Sequence, residues 1–499
     1  MKRLLSLCLT LSLLAVACGF LTPQPAPVSP VPPTASPQIP ASPTPSSPRA
    51  AFRDGLVQAD QAILDGLQGA SEYQLTLTLA ADLLSLDGQE TIHYTNTEEV
   101  PLDKIELRLF PNLLGGQMTV SNIRVDDASV SPQFGLNDSL LIVLLNPSLK
   151  PGQSVTLSMD FGVTLPSTVD QVNYGVLAYA EDVLALAHAY PMVAVYNEEG
   201  WNAEVPPPSG DLTFSDMSFF TVTVRAPKDL VLVAVGREAS RQVEGDQQVV
   251  TYEAGPVRDF YLAASSAYEV VSRQVGETTV NFYAPHDLRS GAQAGLDVAV
   301  RALEDFSARY APYPYTELDL VATPTLALGI EYPGMIAINQ RILEPDHRFL
   351  EGTVAHEVGH QWFYNLVGND QLDHPWLDES LTQFVTLEYF FDEYGSQGYQ
   401  GYRESLTNRW DQINDEAIPI GLPVASYSDQ EYSAIVYGRG RLFFEAHKNQ
   451  MGGEAVDSFL RDYTVSYSWG IATPDGLKSL AERHCNCDLT PLFEEWVNP

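Results

Sequence analysis

Basic residues are scarce in this 499-residue chain: 27 Lys and Arg stand against 64 Asp and Glu, a formal net charge of −37. Nucleic-acid binding rests on neutralising phosphates with Lys and Arg, so DNA or RNA is excluded as the main partner. The acidic excess instead favours solubility and repulsion from anionic surfaces. Long apolar runs are missing beyond the first few residues. No later segment reaches 18 uninterrupted apolar residues, so no transmembrane helix is expected. Cysteine is limited to Cys8, Cys18, Cys485 and Cys487, too few for a disulfide-built fold. Cys485 and Cys487 can close a local disulfide in an oxidising compartment, whereas two thiols alone make a poor zinc site. There is no GxxxxGK[ST] phosphate loop and no internal repeat. What remains is a globular composition, 45% hydrophobic and 18% charged, on a chain long enough for about two to four domains.

The N-terminus reads as an address. Lys2 and Arg3 precede an apolar run over residues 4–17, a secretory signal pattern too short to span a bilayer. It ends Leu14-Ala15-Val16-Ala17-Cys18, and small residues before a cysteine resemble the lipobox of bacterial lipoproteins. That resemblance implies a lipidated Cys18 as the mature N-terminus, with plain cleavage after Ala17 as the alternative. A Pro/Ser/Thr-rich stretch through Pro48 would form an extended, semi-rigid spacer. The expectation is a signal peptide over 1–17, a lipidated tether over 18–50, and an exported body anchored to a membrane, or secreted if no lipid is added.

The body divides by periodicity. Tyr73, Leu75, Leu77 and Leu79 alternate, as do Val155, Leu157, Met159 and Phe161. This period of two predicts an antiparallel β-sandwich or curved sheet over roughly 70–270, within a β-rich domain set at 51–272, a pattern an immunoglobulin-like adhesion module fits as well. After residue 285 the period changes: Leu296, Val300, Leu303 and Phe306 recur at helical spacing until Pro312. A strand at 317–322 and further helices follow. The fold class is therefore multidomain α+β, with a mostly α-helical domain and a small sheet over 273–499.

The chemistry concentrates in His356-Glu357-Val358-Gly359-His360. Residues four apart on a helix share a face, so both imidazoles can hold one zinc ion while Glu357 reaches the water the metal activates. The metzincin continuation HExxHxxGxxH fails, because its Gly and His positions hold Phe363 and Leu366. The alternative third ligand is a carboxylate from the next helix. Gly368-Asn369-Asp370 reads as a helix stop, and Pro375 suits the first turn of a helix beginning near Trp376. Glu379, 19 positions after His360, falls in that first turn. A helical hairpin would bring it back to the histidines, but an acid early in a helix also has a plain explanation in the helix dipole.

His356-Glu357-Val358-Gly359-His360-Gln361-Trp362-Phe363, Asn365-Leu366-Val367 and Trp376-Leu377-Asp378-Glu379 together resemble the zinc aminopeptidases of the aminopeptidase N and leukotriene hydrolase family. Their gluzincin signature is HExxHQWFGN and then WLNE, with eighteen residues between HExxH and Glu. Tyr364 replaces the common Gly and Asp378 the Asn. Upstream, Gly329-Ile330-Glu331-Tyr332-Pro333-Gly334-Met335 is similar to the GxMEN segment, with Ile330 for Met and Tyr332 for Asn. Downstream, Val436-Tyr437-Gly438-Arg439-Gly440 resembles VYEKG, which carries the catalytic tyrosine.

The resemblance covers roughly residues 70–499 and implies a saddle-like β domain followed by a thermolysin-like peptidase domain, without the family's long C-terminal helical domain. It implies one Zn2+ per chain on His356, His360 and Glu379, with Glu357 as general base and Tyr437 at the developing oxyanion. It implies that Glu331 binds the substrate's free α-amino group, with Gly329 and Ile330 along the substrate backbone. The expected function is extracytoplasmic hydrolysis of N-terminal residues from peptides. The alternatives are a zinc endopeptidase or other zinc hydrolase, and a non-catalytic peptide-binding or adhesion lipoprotein. The seven other histidines lack metal-ligand spacing and are read as structural.

Overall fold

Alternating side chains build the first half. In the strand Ser71–Leu79, Tyr73, Leu75, Leu77 and Leu79 turn inward while the residues between them face out. The same alternation in Ser154–Thr164 buries Val155, Leu157, Met159 and Phe161. In this computed structural model, which describes residues 49–207, 210 and 212–498, both strands belong to an eight-stranded sheet. Its one parallel pairing joins Ser71–Leu79 to Ser218–Pro227. Two four-stranded sheets and a two-stranded one complete the described β-rich half. Strands Val183–Ala187 and Tyr261–Ser265 are buried at every position, the mark of strands covered on both faces. The signal peptide, Cys18 and all of the tether up to residue 48 lie outside the described residues.

A five-stranded sheet then leads into the helical half, in the order Tyr268–Val275, Thr278–Pro285, Glu317–Thr323, Met335–Asn339, Gly329–Ile330. Its last strand runs antiparallel at the edge. Helix α1 (Arg289–Arg309) buries Leu296, Ala299, Leu303 and Phe306 and stops before Pro312. There follow α2 (Leu350–Gly359), α3 (Glu379–Trp410), α4 (Asp429–Tyr432), a π-helical turn (Ser433–Arg439), α5 (Gly440–Met451), α6 (Gly453–Tyr467), α7 (Pro474–Cys485) and α8 (Thr490–Trp496). The architecture is a β-rich N-terminal domain followed by a mostly helical one. Cys485 and Cys487 are joined by a disulfide. Among the described residues no helix is long and apolar enough to cross a membrane.

Two boundaries differ from the sequence expectation. Helix α2 ends at Gly359, not near Gly368. The chain turns at Tyr364, whose φ is 153°, and the buried Arg258 guanidinium takes the carbonyls of Tyr364 and Asn365 at 2.7 and 2.9 Å. Gly368 serves close approach instead: a Cβ there would lie 2.1 Å from the Arg258 Cζ. Helix α3 begins at Glu379 instead of Trp376, because Pro375 opens a separate 3₁₀ turn and the Asp378 carboxylate caps the Glu379 N–H at 2.9 Å.

Candidate metal centre

One turn of α2 separates His356 and His360, and it brings their Nε2 atoms to 3.1 Å from each other. Helix α3 returns antiparallel and sets Glu379 Oε2 at 3.1 Å from His356 Nε2 and 3.4 Å from His360 Nε2. All three side chains are buried. Corners of a tetrahedron around zinc, with bonds of 2.0–2.2 Å, stand about 3.3–3.6 Å apart, so the three donor atoms fit one zinc ion. His360 Nδ1 lies 2.9 Å from the Phe363 carbonyl; donating there leaves its Nε2 lone pair aimed at the centre. Burial and the neighbouring His360 ring push His356 down to about 4, so His356 is a neutral donor at physiological pH. Burial favours a protonated Glu379, but the two imidazoles outweigh it and hold the carboxyl well below the usual range.

Glu357 points from the same helix towards the edge strand Gly329–Ile330. The bare Gly329 backbone packs against it. Burial, and then the Glu331 charge, push Glu357 well above the ordinary carboxylate range, the electrostatic setting of a group that takes up a proton. The loop after the edge strand is pinned by Gln361 of the zinc helix segment. The Gln361 amide donates to the Tyr332 carbonyl at 3.2 Å and accepts from Gly334 N–H at 2.8 Å. Tyr332 also stacks on Tyr261 of the β-rich domain at 3.9 Å between ring centroids. Ile330, half-buried, packs against the core beside Gly329. Between these anchors Glu331 is buried, with a carboxylate oxygen within 4.8 Å of a His360 ring nitrogen. Burial raises its pKa as well.

Tyr437 arrives from the π-helical turn and donates its hydroxyl to Glu379 Oε1. Ser380 Oγ ties this turn to α3 by donating to the Val436 carbonyl at 2.6 Å. Gly440 is needed there, since a Cβ would lie 1.9 Å from Ser380 Oγ. The structure thus gathers every site residue named above in the described chain: His356, His360, Glu379, Glu357, Glu331, Gly329, Ile330 and Tyr437. Only Cys18 lies outside the described residues.

Sequence reading missed Gln371, a fully buried amide whose Nε2 donates to Glu331 Oε1 at 3.2 Å and Asp378 Oδ2 at 2.8 Å. It also missed the crossing at Tyr364. The Tyr364 hydroxyl donates to Asp259 Oδ2 at 2.7 Å, and His188 Nε2 lies 3.2 Å from the same oxygen. A β-branched or bulky residue at this φ is strained, and the buried contacts of its carbonyl and hydroxyl hold it there. The one available signal was its place where related motifs carry glycine.

A buried His-His-Glu donor set on two successive helices of the helical half defines a gluzincin-type metal centre. Residues 294–496 match the Peptidase family M1 domain. The chain is 27% identical over 308 residues to Aminopeptidase M1-B of Oryza sativa subsp. japonica, covering 56% of this chain and 34% of that protein. It is 22% identical over 450 residues to Probable aminopeptidase 2 of Sulfurisphaera tokodaii, covering 85% and 53%. The M1 zinc metallopeptidase from Deinococcus radiodurans shares the fold, with a TM-score of 0.63 at 19% identity, covering 86% of this chain and 93% of that one. The helical half of the chain, over residues 294–496, thus carries a Peptidase family M1 domain. The chain spans between about a third and about half the length of the curated relatives it matches.

Proposed function

We propose that this chain is an aminopeptidase that removes N-terminal residues from peptides outside the cytoplasm, with one zinc ion per chain. The observation that carries this reading is the short gap between Glu331 and the donor set: a carboxylate oxygen within 4.8 Å of a His360 ring nitrogen. The amine and carbonyl carbon of a single residue are about 2.5 Å apart. A substrate ammonium held on Glu331 therefore brings the first peptide bond, and no later one, to the metal.

His356, His360 and Glu379 would hold the zinc, which supplies Lewis-acid polarisation of water and of the scissile carbonyl. The remaining work belongs to the chain. Glu331 takes the substrate ammonium in a charge-assisted hydrogen bond and penalises a blocked N-terminus. The exposed edge of Gly329–Ile330 pairs with the substrate backbone as an added strand. Glu357 takes the proton of the attacking water and delivers it to the leaving amine. The Tyr437 hydroxyl turns from Glu379 to the carbonyl oxygen as that oxygen gains charge, a donor whose loss typically costs about 10²–10³ in rate.

Metal analysis paired with matched free and N-acetylated peptides tests this reading. Bound zinc and cleavage of the free-amine peptide alone are expected, with Glu331→Gln losing most of that turnover. Equal cleavage of the N-acetylated peptide would make the chain an endopeptidase instead. The proposed location rests on the sequence of residues 1–48. Cys18→Ala is expected to release the protein from the membrane fraction.

A further inference from the structure

Around the second half of α3, Arg301, Arg309, Arg403 and Arg441 each pair with a carboxylate, and Arg439 donates to the Ile418 and Trp496 carbonyls. Arg409, in the last turn of α3, does neither. Among the described residues its side chain makes no hydrogen bond or ion pair, in a chain with 64 acidic residues. It is half-buried, and its guanidinium lies over the Tyr437 ring, 5.5 Å from the centroid. This placement is built into the fold. A Cβ at Gly438 would meet Leu406 O and Trp410 N at 3.1 Å and Arg409 Cβ at 3.3 Å, so glycine lets the last turn of α3 pack directly on the turn that carries Tyr437. The ring contact supplies cation–π attraction but no counter-charge.

We infer that Arg409 is the subsite for the C-terminal carboxylate of a short peptide. This rests on the aminopeptidase reading, in which Glu331 holds the amino end. The anion a peptide offers at its other end is the carboxylate. Length then selects the substrate. The His356 and Tyr437 ring centroids are 6.1 Å apart, so the Arg409 Cζ is no more than about 12 Å from the His356 ring. Each residue beyond the scissile bond adds about 3.3–3.6 Å, and a guanidinium–carboxylate pair adds about 4 Å. Peptides with one or two residues after that bond, dipeptides and tripeptides, span the gap.

The test compares a tripeptide with its C-terminal amide. Wild-type protein is expected to prefer the free acid by about tenfold or more in kcat/KM, and Arg409→Met to bring that ratio close to one. Arg409→Lys, a point charge without the planar fork, is expected to keep part of the preference. The same pair is titrated calorimetrically into Glu357→Gln protein, with and without Arg409→Met, which reads the carboxylate preference without turnover. Equal affinity for acid and amide in the Glu357→Gln protein, or a preference that survives Arg409→Met, overturns the inference. Absence of hydrolysis with an intact calorimetric preference would sink the aminopeptidase reading and leave the carboxylate subsite standing.

Discussion

Gly329 lies so close to Glu357 that a Cβ on the glycine would stand 2.5 Å from both the Cγ and the Oε1 of the glutamate. The edge strand proposed to receive substrate and the side chain proposed to move the proton are thus one packed unit. The absence of a side chain at residue 329 keeps the two in register.

Gly329→Ala is therefore expected to push Glu357 aside. Misplacement of a reacting group by about 1 Å costs on the order of 10²-fold in rate. Steady-state kinetics should show kcat falling by that order, while zinc content stays at the wild-type level because His356, His360 and Glu379 are not displaced.

Gln371→Leu removes the amide that Glu331 and Asp378 share. Two buried carboxylates then lose a donor, a loss of about 1–3 kcal/mol in stability. With Glu331 less firmly held, KM for free-amine peptides should rise more than kcat falls. Gln371→Asn, which keeps the amide on a shorter stem, should recover part of the KM. A uniform drop in kcat at unchanged KM would show that Gln371 does not orient the amine-binding carboxylate.

His447 sits in an aromatic pocket of Phe443, Phe444 and Phe493, with Nε2 lacking a partner, and burial lowers its pKa to about 4. A histidine with a depressed folded pKa contributes stability above its unfolded value of about 6.5 that is lost as pH falls towards 4. The full loss is about 3 kcal/mol. Denaturant midpoints measured across that window should fall with pH, and His447→Leu should flatten the slope.

Glu90 is buried with both carboxylate oxygens unpartnered, and burial raises its pKa well above 4.5. A raised carboxyl pKa works in the opposite sense: the group is tolerated below its unfolded pKa and destabilises as pH rises towards the folded one. Glu90→Met is expected to raise Tm at pH 8 by more than at pH 4. A gain that is the same at both pH values would mean that ionisation of Glu90 plays no part.

The parts legible in the sequence were those governed by local geometry. The alternation at Tyr73 to Leu79 depends only on the two-residue period of a strand, and the shared face of His356 and His360 only on the helical turn. Glu379 was ambiguous by spacing, because an acid in a first helical turn suits the dipole whether or not a metal is near. No local period marks Gly438 or Gly440, yet a Cβ at Gly440 would collide with Ser380 and one at Gly438 would crowd Leu406 and Trp410 of α3. Gln371 and Arg409 carried no motif at all.

The order of residues alone determined a β-rich stretch before a helical one, two imidazoles on one helical face, and a glutamate between them that faces elsewhere. These follow from bond geometry repeated over a few residues. Only the tertiary structure decided that α3 returns Glu379 to those imidazoles, that the edge strand rests on Glu357, and that an arginine thirty residues further along α3 stands over Tyr437. Those placements depend on packing between segments far apart in the chain, about which no short-range period carries information.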